Sequence, residues 1–166
     1  MSTGEEKLHT IVLDTIELLP YDHDRVIIVS GFNADEVIAW FKENFNDPKT
    51  TDLKKIKKHF EWFNEMIGEI NDLREDLTGY DKGGTPVGNG MYAWNKLKSN
   101  PGTSFRMIIL KYGFSPSNPE NMRTLAHEVL HLCQEFLPTF LDRDKEMEAE
   151  AYFHSYIMEK IYSLFL

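Results

Sequence analysis

The most regular pattern of apolar positions lies over residues 51–77. Leu53, Ile56, Phe60, Phe63, Ile67 and Ile70 recur there every three or four residues. That spacing lines one face of a long α-helix. Gly68 weakens the helix by about 1 kcal/mol relative to alanine. Upstream, Leu8, Ile11, Val12, Ile16 and Leu19 show similar spacing. They predict a helix over residues 4–19, with Thr3 and Glu6 as a capping box and Pro20 as its stop. A strand through Val12 is the lesser alternative. Arg25-Val26-Ile27-Ile28-Val29-Ser30 is a β-branched run and reads as a buried strand. Asn33 then caps a short helix over residues 34–45, with Val37, Ile38 and Phe41 on one face, and Asn46-Asp47-Pro48 ends it.

The second half has a different rhythm. Residues 78–89 are rich in Gly, Asp and Pro and form a loop; no Gly-Lys-Ser/Thr follows its glycines, so it is no phosphate loop. Two strands are predicted over 91–97 and 105–112, joined by a turn over 98–104 that contains Asn100-Pro101-Gly102. With the Val26 strand they make a sheet of about three strands. Ser117-Asn118-Pro119-Glu120 is a helix start, and Pro138 stops that helix near residue 136. Asp142 or Asp144 caps a last helix running to about residue 164. The whole reads as one α+β domain over residues 1–166. A helical and strand half (1–77) precedes a sheet hairpin with a C-terminal helical hairpin (91–166).

The candidate chemistry sits inside the first helix of that last pair. His127-Glu128-Val129-Leu130-His131 is an H-E-x-x-H pattern. On a helix the two histidines are one turn apart and share a face, so both imidazoles can bind one Zn²⁺. Glu128 points about 100° away from His127. It is badly placed as a ligand and well placed to take a proton from a metal-bound water. Met122, Leu125, Val129, Leu132 and Phe136 can bury the helix's other face.

A third ligand must come from the last helix. Counted outward from the turn, His131 and Glu148 are level, so Glu148 can complete a His₂Glu site with water in the fourth position. Glu150, about 200° round the helix from Glu148, is its rival. Glu146 lies nearer the turn, where acids commonly just favour a helix start. Periodicity does not separate Glu148 from Glu150, because both border the broad apolar face of Ala149, Tyr152, Phe153, Tyr156 and Ile157.

Composition narrows the partners. The 166 residues are 42% hydrophobic, enough for a real core, and carry a net charge of −9. That acidity argues against nucleic acid and anionic membranes as partners. No apolar run is long enough to span a bilayer, and the first residues lack the features of a signal peptide. Cys133 is the single cysteine, so no intrachain disulfide forms; a cytoplasmic location is expected. The cluster Lys54, Lys55, Lys57 and Lys58 with His59 reads first as a solvated face, with a phosphate contact as the alternative.

The H-E-x-x-H helix followed by a glutamate on a later helix resembles the zincin metallopeptidases with a glutamate third ligand. More narrowly, Thr124 to His131 together with Glu148-Ala149-Glu150-Ala151-Tyr152 and Tyr156 resembles small single-domain metallopeptidases encoded by bacteriophages. The resemblance covers about the last 60 residues. It implies a zinc-dependent peptidase acting on a protein or peptide, in the host cytoplasm if phage-encoded, with Glu148 as third ligand. It also implies that the strand over 105–112 lines the cleft and pairs with extended substrate. Tyr152, one turn after Glu148, could support a developing oxyanion or could be a core tyrosine. His154 reads as surface or core edge, Cys133 as a small buried hydrophobe, and Trp40, Trp62 and Trp94 as core or core edge. A catalytically inactive binding module with structural zinc, or a regulatory protease with a single protein target, are the alternatives. Oligomeric state is not readable.

Overall fold

The computed structural model describes residues 11–17, 25–77, 90–99, 103–139 and 147–166. The elements in order are β1 (Ile11–Glu17), β2 (Arg25–Ser30), α1 (Ala34–Phe45), α2 (Leu53–Asp76), β3 (Gly90–Lys96), β4 (Ser104–Leu110), α3 (Pro119–Phe136), a 3₁₀ turn (Leu137–Thr139) and α4 (Met147–Ser163). The architecture is α+β, with one mixed sheet in the order β1-β2-β4-β3. β1 runs antiparallel to β2, β2 parallel to β4, and β3 antiparallel to β4. The β2–β4 ladder therefore joins the two halves of the chain.

The alternation within the strands sorts the core into two layers. Ile27, Val29, Phe105, Met107 and Ile109 face α1 and α2, where Val37, Phe41, Phe63 and Ile70 pack. Val26, Ile28, Ile108 and Leu110 face α3 and α4, where Leu125, Val129, Leu132, Phe136, Ile157 and Ile161 pack. β2 and β4 are buried on both sides, which is why they read as nearly continuous apolar runs.

Two expectations need correction. Residues 11–17 form an edge strand, not part of a helix, so the sheet has four strands. A register shift between Val12 and Asp14 inserts an extra residue. That bulge breaks the two-residue period and leaves apolar spacing that looks helical. The rest of the predicted helix, residues 4–10 and 18–19, lies outside the described residues. Second, β4 is no edge. It pairs on both sides, and among the described strands β3 is the one at the sheet edge beside α3.

The caps follow their residue chemistry. Asn33 Oδ1 accepts from the Glu36 backbone N–H (3.1 Å), and Asn118 Oδ1 from those of Glu120 (2.9 Å) and Asn121 (3.3 Å). Asp52 caps α2 through the Lys54 N–H (2.9 Å). The candidate caps Asp142 and Asp144 lie outside the described residues. Among the described residues no helix is long and apolar enough to cross a membrane.

Gly68 sits on the exposed side of α2, and a Cβ built there meets nothing within 4 Å. Gly68→Ala should therefore stabilise the protein by about 1 kcal/mol, raising Tm by about 2–4 °C in a thermal melt. An unchanged Tm would mean that α2 does not hold its helical form through this position.

Candidate metal centre

α3 carries the H-E-x-x-H residues on a frame anchored at both ends. Asn118 and Pro119 start it, Asn121 Oδ1 accepts from the Ser115 N–H (2.9 Å), and Phe136 closes it against α4. Its buried stripe of Leu125, Val129, Leu132 and Cys133 fixes the helix's rotation. Those residues turn His127 and His131 outward, and both are exposed. Their Nε2 atoms converge to 2.9 Å, with the rings edge-on at 4.5 Å between centroids. Two nitrogens sharing a tetrahedral zinc stand roughly 3.3 Å apart. The pair thus has the spacing and donor chemistry of two ligands to one ion.

Glu128 lies the other way and is only 5% exposed. Burial raises its pKa above the ordinary carboxylate value, and the two neighbouring imidazoles and the Tyr92 backbone N–H partly offset that rise. A carboxylate with raised affinity for protons, beside two histidines, has the character of a general base.

The three residues line one wall of an open cleft of about 560 Å³. β3 supplies the opposite wall with Gly90, Met91, Tyr92 and Trp94; Gln134 and Glu135 complete the lining. Gly90 allows this close approach. A Cβ there would stand 2.7 Å from Thr124 Cγ2 and 3.3 Å from Glu128 Cγ. In the sequence Gly90 adjoins the glycine-rich loop over 78–89, and no local signal distinguishes it.

A second feature also escaped sequence reasoning. Glu135, one turn beyond His131, accepts from Arg106 Nε (2.6 Å) and Nη2 (3.2 Å) and from the Tyr92 hydroxyl (2.6 Å). Arg106 is 6% exposed, and its guanidinium lies 5.0 Å over the Phe136 ring. Burial, and then the bond to Glu135, push the Tyr92 phenol well above its ordinary pKa, so it stays a neutral donor. This network ties α3, β3 and β4 together along the cleft. The sequence signal was a single arginine inside the apolar run of β4.

α4 packs on α3 through Phe153, stacked 5.5 Å from Phe136, and through His154, whose Nε2 lies 3.3 Å from the Ala126 carbonyl oxygen. Ile157 and Ile161 are fully buried. Glu150 is half-buried and falls on this inward stripe, one turn before His154. Glu148 precedes Ile157 by nine residues, which puts it about 180° round the helix. It is exposed, as is Tyr152 at 74%. His127, Glu128 and His131 thus come together, while Glu148 and Tyr152 lie on the outward side of α4. No group of three or more His, Cys, Asp or Glu side chains in a metal-holding arrangement occurs among the described residues. Cys133 is buried, Trp40 and Trp62 are half-buried, and Trp94 is 48% exposed at the cleft. No protein family, curated protein or solved structure matches the chain.

Proposed function

We propose that the protein is a zinc-dependent peptidase of the zincin-like kind. The observation that supports it most is the convergence of His127 and His131 beside the buried Glu128, in a cleft faced by an edge strand. When bound, zinc supplies a Lewis acid and lowers the pKa of a coordinated water. The chain's own residues do the rest. His127 and His131, whose Nε2 atoms converge, would hold the ion. Glu128 takes the proton of the attacking water on its carboxylate and hands it to the leaving amine. β3, the edge strand beside α3 among the described residues, takes the substrate-pairing role that the resemblance assigns to a strand. An extended peptide added there would lie between Trp94 and the histidines, so the substrate is a protein or peptide.

The third ligand would be a glutamate from the first turn of α4, although neither Glu148 nor Glu150 stands in a metal-holding group with the two histidines here. The resemblance favours Glu148, whereas the inward stripe of α4 favours Glu150, and we rank Glu150 first on that ground. Wild-type protein should carry about one equivalent of zinc by elemental analysis. The His127→Ala, His131→Ala double variant should carry almost none. Equal zinc in the two would overturn the site. Zinc affinities of Glu148→Gln and Glu150→Gln then separate the two carboxylates, since only the ligand's loss weakens binding.

A further inference from the structure

A second cavity, of about 540 Å³, lies on the α1–α2 side of the sheet, away from the histidines. Its chemistry is opposite to that of the chain. Among the described residues, Arg25, Lys49, Lys55 and Lys58 line it with one carboxylate, Asp47, in a protein of net charge −9. The lysines of α2 divide by helix face. Lys55, Lys58, His59 and Trp62 recur at positions i, i+3, i+4 and i+7 and line the cavity; Lys54 and Lys57 do not.

The wall behind the cations is aromatic and fixed. Trp62 packs against Phe41, Phe45 and His59 at 5.5, 5.9 and 5.6 Å between ring centroids. His59 Nε2–H donates to the Phe45 carbonyl at 2.8 Å, which holds the imidazole in the wall. Opposite, Asp47 Oδ1 accepts from the Lys49 N–H (2.8 Å), and Lys49 takes a left-handed φ of 53°. Non-glycine residues rarely adopt that conformation. The ammonium groups of Lys49, Lys55 and Lys58, gathered at one cavity, repel each other, and an anion relieves that repulsion.

We propose that this cavity binds a small phosphorylated molecule with a flat ring, the chemistry of a mononucleotide. The cations take the phosphate and the Trp62–Phe45 wall takes the ring. The volume lies in the range of small-ligand pockets. A long polyanion is disfavoured, because the rest of the surface is acidic.

The test is isothermal titration of the full-length protein with AMP, GMP, CMP and UMP, and with inorganic phosphate and adenosine as fragments. At least one nucleotide should bind saturably and more tightly than either fragment. Lys55→Glu with Lys58→Glu should weaken it about tenfold or more. Lys54→Glu with Lys57→Glu, the same charge change off the cavity, should leave affinity within about twofold. The His127→Ala, His131→Ala variant should bind the nucleotide as wild type does, so the outcome is separate from that of the metal centre. Three results would each overturn the proposal: no saturable binding of any nucleotide, phosphate binding as tightly as the best nucleotide, or equal loss in both lysine pairs.

Discussion

Glu128→Gln should keep its zinc and lose turnover by a factor on the order of 10² or more. The amide has the shape of the carboxylate and can still accept from the Tyr92 N–H, so α3 and the histidines keep their places. What it cannot do is take a proton. A peptide library screened with the wild-type protein supplies the substrate, and the variant is compared on that substrate with zinc content measured in parallel. Equal rates would remove Glu128 from the mechanism. Loss of zinc without unfolding would make it a ligand.

The same substitution has a stability signature in metal-free protein. Burial raises the folded-state pKa of Glu128 above its unfolded value. Its favourable contribution is complete below the unfolded pKa and is lost as pH rises through the folded one. Glu128→Gln should therefore match the wild type in acid and become the more stable of the two toward pH 7. A higher Tm for Glu128→Gln than for the wild type is expected there, with the difference shrinking toward acid. A gap that closes as pH rises would contradict the sign of the shift.

Glu135→Ala should be the most damaging single change to stability outside the apolar core, at about 3–5 kcal/mol. Arg106 would stay buried without the Glu135 carboxylate, and the Tyr92 hydroxyl would lose that acceptor. Truncating one partner of a buried pair costs far more than the pair's net worth, because the remaining charge is left without its compensating partner. Urea denaturation with unchanged m-value measures it. Arg106→Met combined with Glu135→Leu should recover most of the loss, since an apolar pair needs no partner charge. A Glu135→Ala cost under about 1 kcal/mol would show that water reaches Arg106. Because Glu135 follows His131 by one turn, its loss should also loosen β3 from α3.

Local sequence determined much of this protein. The helices over 34–45, 53–76 and 119–136 were legible because helix periodicity and capping are short-range. The pairing of His127 with His131, and the turning away of Glu128, were legible for the same reason: both follow from 100° per residue on one helix. The strand at Ile11–Glu17 was not legible, since a bulge erased its period and only the β2 ladder fixes it. Strand order was not legible either, because the chain does not carry its neighbours' positions locally. Tertiary structure made β4 internal and β3 the edge. It gave Gly90 its place under Thr124 and Glu128, and joined Arg106, Glu135 and Tyr92 across separations of 29 and 43 residues. The rotation of α4 belongs to the same class. Glu148 and Glu150 have equal claims on a helical wheel, and only packing of Phe153, His154 and Ile157 against α3 and the sheet decides which faces inward.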